Sequence, residues 1–126
     1  MEKLPVDPRI AELKKRKQEV LKGGGSERIA KQHAKGKLTA RERIEYLLDP
    51  GSFQELESYI LSRFEQKEKI HGDGVITGFG TIDNRLVYVY AQDFTVYGGT
   101  MSEMQSRKIC RMMDLALENK APVIHI

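Results

Sequence analysis

The stretch from Gly72 to Gly99 constrains the fold of this chain most, because it holds two consecutive strand patterns joined by a short turn. Residues 75–82 alternate between two faces, one of them β-branched and aromatic, which is the period-two spacing of a strand. Asp83 and Asn84 follow, and both tolerate the positive φ angles of a two-residue hairpin turn. Residues 86–91 are then a nearly unbroken apolar run, as in a strand covered on both faces. The stretch predicts a buried β-hairpin.

The residues after this hairpin predict a helix and a further strand, which together make a β-α-β crossover. The predicted core face of the helix over residues 102–119 has apolar residues at spacings of three and four: Ile109, Cys110, Met112, Met113, Ala116 and Leu117. Cys110 is therefore expected to be buried and inert. Residues 123–126 have the composition of a buried strand, and the sequence stops inside it. We expect the chain to be the truncated start of a longer α/β protein.

A helical, basic segment is predicted for residues 1–50, ahead of an incomplete core domain over residues 51–126. Three helices are predicted in this segment, over residues 8–22, 27–34 and 40–48. Asp7 and Ser26 are the expected N-caps of the first two. Thr39 and Glu42 have the spacing of a capping box, which would open the third.

The positive charge of the chain is concentrated in this segment. The chain has a formal net charge of +3, while residues 1–48 alone carry 13 Lys and Arg against 7 Asp and Glu. Its basic side chains cluster between the second and third helices: Lys31, His33, Lys35, Lys37, Arg41 and Arg43. Two interpretations stay open, a solvated helix face or a clamp for phosphates near a helix N-terminus. Nucleic acid is not favoured, because this region has no aromatic side chain for stacking bases.

A polar loop that contains glycine follows the second strand of the hairpin. Residues 92–100 read QDFTVYGGT, which is a polar pair, two aromatic residues and a pair of glycines. Glycine lets a ligand approach the backbone without a Cβ in the way. The same pattern fits a plain connection between a strand and a helix, so both interpretations of the loop stay open.

Several classes of protein are disfavoured by the composition. No apolar run approaches the roughly 20 residues that cross a bilayer, and the N-terminus shows no signal peptide. We expect a cytoplasmic location, or the mitochondrial matrix for a eukaryotic source, although no transit peptide is seen. The single cysteine excludes a disulfide framework, and His71 with Asp73 offers too few ligands for a metal. Neither a membrane nor a metal is expected.

Ordered segments of the chain resemble the biotin-dependent acyl-CoA carboxyltransferases. These segments read KQHAKGKLTARERI at 31–44, LLDPGSF at 47–53, GDGVITG at 72–78, QDFTVYGG at 92–99, KIC at 108–110 and APVI at 121–124. They cover nearly the whole chain from about Pro8, in order and at compatible spacing. Single segments are unspecific, whereas the ordered set is highly specific and is most similar to the propionyl-CoA carboxylases.

The resemblance implies a fold, a reaction and partners. The fold would be α/β, the N-terminal half of a crotonase-like ββα spiral preceded by N-terminal helices. The family moves a carboxyl group from carboxybiotin to the α carbon of an acyl-CoA, here propionyl-CoA first and acetyl-CoA second. Backbone amides hold the thioester oxyanion in that reaction. Biotin would be carried by a partner, the biotin carboxyl carrier or biotin carboxylase subunit, and the full-length subunit would form a homo-oligomer.

The resemblance also implies where the site residues lie. The family's Ser-Gly-Gly-Ala-Arg stretch carries the oxyanion amides and follows the Ala-Pro-Val-Ile strand, so it would lie beyond Ile126. We therefore expect no catalytic residue in this chain, and no activity from the fragment alone. The chain would bind part of the CoA ester, with Lys37 and Arg41 first at the phosphates. The residues expected at the CoA ester are Lys37, Arg41, Lys35, Arg43, Phe94, Gly98 and Gly99.

Two further interpretations stay open. One is the α subunit of a biotin-dependent CoA-ester decarboxylase of the methylmalonyl-CoA or glutaconyl-CoA type, which uses the same fold in the reverse direction. The other is a non-catalytic segment for CoA binding or assembly.

Overall fold

The computed structural model describes residues 5–64 and 67–126, and in them the predicted α/β class is confirmed. The helices are α1 (Pro8–Leu21), α2 (Ser26–Ala34), α3 (Ala40–Leu47) and α4 (Glu103–Glu118). The strands are β1 (Gln54–Leu56), β2 (Val75–Ile82), β3 (Arg85–Gln92) and β4 (Val123–His125). Residues 1–4 of the predicted helical segment lie outside the described residues. The proposed division at residue 50 stays a prediction.

The strands form one sheet in the order β1-β2-β3-β4. β1, β2 and β3 are antiparallel neighbours, whereas β4 pairs parallel to β3 after the α4 crossover. The predicted turn lies between β2 and β3, where Asp83 and Asn84 have φ angles of 50° and 63°. These angles match the primed two-residue turn whose twist suits a hairpin. Both the hairpin and the crossover are therefore confirmed.

The carboxylate of Asp49, just after α3, holds this turn in place. It accepts hydrogen bonds from the Thr81 hydroxyl at 2.6 Å and from the amides of Asp83 and Asn84 at 3.0 and 2.9 Å. The Thr81 hydroxyl and these amides keep the pKa of the Asp49 carboxyl below its ordinary value. The end of α3 is thereby fixed to the tip of the hairpin.

The core lies on both faces of β3, as its apolar run predicts. On one face, α3 and its C-cap residue pack against the sheet: Ala40, Ile44 and Leu48 meet Ile76, Val87, Val89 and Ala91. On the other face, Tyr88 packs against α4 at Met112 and Ala116. β3 thus lies between α3 on one face and α4 on the other.

Glycines allow the close approach of β1 and of the chain before it. A Cβ on Gly78 would lie 2.2 Å from the backbone oxygen of Gln54. One on Gly80 would lie 2.7 Å from a methyl of Leu48. The missing side chains of these two glycines let β1 and the chain before it pack directly on β2.

The buried face of α4 differs from the predicted one. Ile109, Met112 and Ala116 are buried as predicted, but Met113 and Leu117 are 46% and 80% exposed. Cys110 is also exposed, so the expectation that it is buried is wrong. The buried stripe instead includes two polar residues, Gln105 and Lys108. Helical spacing identified the helix, but it could not set the rotation of the helix about its axis.

Local signals at the helix ends are mostly confirmed. Asp7 accepts from the Arg9 amide, and Thr39 with Glu42 forms both bonds of the capping box. The predicted Ser26 cap is wrong, because Ser26 is already helical and Gly25 stands at the cap position without a side-chain bond. Between the short β1 and the hairpin, residues 58–64 and 67–70 are irregular. No helix in the described part of the chain is long and apolar enough to span a membrane.

Substitution at Gly78 tests the close packing on β2. We expect Gly78→Ala to lower the free energy of unfolding by about 3 kcal/mol, because the methyl meets backbone rather than a mobile side chain. The matched control is Gly51→Ala, where φ is +73° but nothing lies within 4 Å of the new Cβ. That variant should lose only about 1 kcal/mol, from left-handed strain. Equal losses in urea denaturation would contradict the packing argument.

Candidate functional site

A surface cavity of about 350 Å³ lies between α2 and the loop that follows β3. One wall comes from α2 and its C-cap, and the other from residues 94–98. The lining residues are Arg28, Lys31, Gln32, Lys35, Phe94, Thr95, Tyr97 and Gly98. The cavity thus joins part of the basic segment to the polar, glycine-containing loop, which are the two regions singled out in the sequence.

The α2 wall is positively charged. Arg28, Lys31 and Lys35 are spaced by three and four residues, which places them on one side of the helix. Lys31 pairs with Glu27 at 2.8 Å and Arg28 pairs with Glu68 at 3.2 Å, and all four side chains are well exposed. Exposed pairs of this kind contribute about 1 kcal/mol or less. An anionic ligand can therefore displace them at little cost.

The loop wall presents an aromatic ring beside these cations. Phe94 is 61% exposed, so its ring is accessible to a ligand in the cavity. Gly98 has a φ of 63°, and nothing lies within 4 Å of a Cβ built on it. An exposed ring, an open glycine backbone and three cations suit a planar group that carries negative charge.

Buried neighbours hold the loop in shape. Asp93 accepts from the Thr95 amide at 2.9 Å and from the Thr95 hydroxyl at 2.6 Å. The Gly24 amide donates to the same hydroxyl at 3.1 Å, so the joint between α1 and α2 is fixed to the loop. The Tyr97 hydroxyl donates to the Glu68 carbonyl, and burial raises the pKa of Tyr97. These contacts hold the loop wall of the cavity in a defined conformation.

Three of the seven predicted CoA residues line this cavity, namely Lys35, Phe94 and Gly98. Gly99 belongs to the same loop but is not in the lining. Lys37 is exposed outside the cavity. Arg43 instead lines a separate groove beside β4. The roles of all seven at a ligand stay predictions.

Arg41 is engaged within the protein. Its guanidinium binds the Glu55 carboxylate through two hydrogen bonds of 2.6 and 3.0 Å, and the side chains are only 18% and 17% exposed. A second cavity of about 170 Å³ is lined by this pair together with the carboxylates of Glu42, Glu45 and Asp93. Such surroundings disfavour a phosphate.

Sequence reasoning missed Arg28, although its spacing from Lys31 and Lys35 would have identified it. The basic cluster was defined by its proximity along the chain, whereas the helix selects every third or fourth residue. Within residues 5–64 and 67–126, no three His, Cys, Asp or Glu side chains are grouped to hold a metal ion.

The sequence is similar to curated carboxyltransferase subunits. The profile of the carboxyl transferase domain matches residues 31–126. Over 125 residues the chain is 52% identical to the propionyl-CoA carboxylase carboxyltransferase subunit of Haloferax mediterranei, covering 96% of this chain and 24% of that protein. Over 120 residues it is 45% identical to the methylmalonyl-CoA decarboxylase subunit alpha of Propionigenium modestum, covering 92% and 23%.

The backbone is similar to a solved carboxyltransferase structure. It matches a chain of transcarboxylase 12S with a TM-score of 0.91 and 40% identity, over 98% of this chain and 25% of that one. That crystal structure is described as a hexamer with methylmalonyl-coenzyme A and methylmalonic acid bound. The predicted crotonase-like fold is confirmed, for part of the domain. The chain spans about a quarter of the length of these relatives.

The contribution of the Arg41–Glu55 pair to the free energy of unfolding can be tested by substitution. We expect Arg41→Met to lower the free energy of unfolding by about 2 kcal/mol, because it leaves a half-buried carboxylate without its partner. The double variant Arg41→Met/Glu55→Gln should cost less than the sum of the single changes, since the two groups share one interaction. The comparison is Lys31→Met in the exposed pair with Glu27, which should change stability by about 0.5 kcal/mol at most. Additive losses in urea denaturation would refute the coupling.

Proposed function

The chain belongs to the carboxyl transferase domain family, and we propose on that basis that it supplies part of the acyl-CoA-binding half of a biotin-dependent carboxyltransferase. The observation that carries this proposal is the cavity between α2 and residues 94–98. The full enzyme transfers a carboxyl group from carboxybiotin to the α carbon of an acyl-CoA. Propionyl-CoA is the first candidate substrate, because the Haloferax relative is a propionyl-CoA carboxylase subunit. Acetyl-CoA is the second.

The nucleotide end of CoA matches the chemistry of the cavity. It carries several phosphate charges and a flat purine ring, and the cavity offers cations on one wall and an exposed phenyl ring on the other. In this proposal Arg28, Lys31 and Lys35 bind the phosphates. Phe94 stacks on the purine, and the Gly98 backbone admits the pantetheine arm close to the loop.

The contribution of this chain to catalysis is to bind and orient the CoA ester. In the family, backbone amides of a Ser-Gly-Gly-Ala-Arg stretch hold the thioester oxyanion, and the 126 residues contain no such stretch. We assign no residue of this chain to biotin, which is carried by a partner protein in this proposal. The biotin carboxyl carrier or biotin carboxylase subunit is that partner. Further copies of the full-length subunit complete the assembly, as in the hexameric 12S structure.

A second candidate function is the α subunit of a CoA-ester decarboxylase, of the methylmalonyl-CoA or glutaconyl-CoA type. It is favoured by the 45% identity to the Propionigenium protein. Both functions bind the same kind of CoA ester, so the cavity serves either. A CoA-binding segment without catalysis would use it as well. The cytoplasmic location expected from the sequence stays a prediction.

Calorimetric titration of CoA and propionyl-CoA into the chain tests the proposed function. We expect Phe94→Ala to weaken binding about tenfold, since the loss of one stacked base costs about 1–3 kcal/mol. Lys35→Ala should weaken it severalfold, and the affinity of the wild-type chain should fall as salt is added. Absence of CoA binding by the wild-type chain would contradict the proposed function.

Lys37→Ala is the matched control, because it removes a lysine two residues away that lies outside the cavity lining. We expect this variant to bind CoA as the wild-type chain does. If Lys37→Ala weakens binding and Lys35→Ala does not, the cavity is the wrong place. The phosphates would then bind at the start of α3, as the sequence alone suggests.

A further inference from the structure

Lys108 is a fully buried lysine on α4 whose charge the proposed binding site does not use. Its side chain is 0% exposed. The ammonium donates to the Gly72 carbonyl at 2.9 Å and to the Val75 carbonyl at 2.5 Å. Burying a charge is costly unless the surroundings satisfy it. The two carbonyls bracket the tight turn over residues 72–75 that leads into β2, so the lysine holds both ends of this turn.

This turn contacts the beginning of the loop over residues 93–99, which forms one wall of the cavity. The Asp93 amide donates to the Gly74 carbonyl at 2.8 Å. A Cβ on Gly74 would lie 3.4 Å from a methyl of Val96, so the turn packs directly on the loop. Asp93 then holds Thr95 through the two bonds to its carboxylate. A displacement of the turn is therefore passed to the residues before and after Phe94.

The far end of the loop is joined to the same turn. The Asp73 carboxylate accepts a hydrogen bond from the hydroxyl of Ser102, the N-cap of α4. Gln105, which is also fully buried, donates to the Thr100 carbonyl at 2.8 Å. A Cβ on Gly74 would lie only 2.7 Å from the Gln105 amide nitrogen. The turn over residues 72–75 is thus in contact with both ends of the loop that forms the cavity wall.

Charged groups on three neighbouring elements face Lys108. The pKa of Lys108 is lowered to about 8, chiefly because the side chain is buried. The carboxylates of Glu55, Glu57 and Asp73 raise this pKa, whereas the Arg41 guanidinium lowers it. The other oxygen of the Asp73 carboxylate is buried without a hydrogen-bond partner among the described residues. With a pKa of about 8, the ammonium is mostly charged at neutral pH.

We propose that Lys108 is a positioning residue for the cavity. By binding the carbonyls of Gly72 and Val75, it fixes the turn over residues 72–75. Through that turn it fixes the loop over residues 93–99 in the conformation that presents Phe94 and Gly98. Only the identity of the ligand in the cavity rests on the proposed function. The positioning itself concerns the ligand-free chain.

Amide NMR spectra of Lys108→Met at neutral pH test the proposal without any ligand. Methionine has a similar length but no donor, so the Val75 carbonyl loses the bond from the ammonium and the Gly72 carbonyl keeps only the Val75 amide at 3.3 Å. We expect chemical-shift changes and faster hydrogen exchange at residues 72–76 and also at 93–99, with the hairpin tip at 83–84 unchanged. Lys120→Met, an exposed lysine just beyond α4, is the matched control and should leave both segments unchanged. Changes confined to residues 72–76 would overturn the proposal.

A pH titration of the folded chain is the second readout, and it needs no variant at Lys108. The amides of 73, 76 and 93–99 should shift together with a midpoint near the pKa of about 8. The titration is run on Cys110→Ser, which removes the exposed thiol from the same helix. The neutral amine still has two hydrogens for two carbonyls, so we expect a smaller effect than in Lys108→Met. Chemical-shift changes at the amides of residues 73 and 76, without changes at residues 93–99, would refute the proposed coupling.

The stability of the chain should respond to pH in a defined direction. Because the folded pKa lies below the ordinary 10.5, the unfolded chain binds the proton more tightly between those values. The free energy of unfolding therefore gains a contribution that rises from about pH 8 to about pH 10.5. Urea denaturation across this range should show the rise in Cys110→Ser, and Lys108→Met in that background should remove it. Persistence of the rise would overturn the assignment to Lys108.

CoA titration of the same variants separates this inference from the proposed function. If Lys108→Met binds CoA at least fivefold more weakly and its loop amides change, both stand. If the loop amides change but neither protein binds CoA, the positioning stands and the proposed ligand is wrong. If CoA binds both proteins equally well, Lys108 does not position the cavity.

Discussion

The antiparallel pairing of β2 with β3 is the constraint on which the rest of the structure depends. The pairing runs over eight residue pairs, from Val75 with Gln92 to Ile82 with Arg85. It fixes which side chains of β3 face α3 and which face α4, because a slip of one residue would exchange the two faces. It also brings the turn over residues 72–75 beside the end of β3, where the cavity loop begins. The core and the site thus depend on one register.

The register is in turn fixed at the hairpin tip by chemistry that is visible in the sequence. Asp83 and Asn84 accept positive φ angles, and Asp49 satisfies both of their amides. The tolerance of Asp83 and Asn84 for positive φ is local, whereas the bonds to Asp49 span 34 and 35 residues. The hairpin and the capping box could therefore be predicted. Each depends on residue types within a few positions of one another, which a single sequence displays directly.

The features that the sequence could not predict depend on long-range partners. Arg41 belongs to a basic cluster in the sequence, yet its partner Glu55 lies on β1, which the structure brings beside α3. Cys110 and Lys108 are two positions apart, and the choice of which one is buried depends on the rotation of α4 about its axis. A lysine is rarely buried, so no propensity argument would select it. Only the positions of the Gly72 and Val75 carbonyls explain why it is.

Lys108 is costly to bury, but its hydrogen bonds help to define the conformation of the loop over residues 93–99. An apolar residue at position 108 would avoid the desolvation of an ammonium, and replacing buried charges in this way often stabilises proteins. Apolar packing has no preferred direction, however, and it would remove the ammonium from both turn carbonyls, leaving Gly72 with only the long bond from the Val75 amide. The Lys108 ammonium donates hydrogen bonds in set directions and so holds the turn in one position. The hydrogen bonds of Asp93, Ser102 and Gln105 connect this turn to the loop over residues 93–99. In the proposed site Phe94 is largely exposed and has little packing of its own, so the loop that carries it depends on this support from behind.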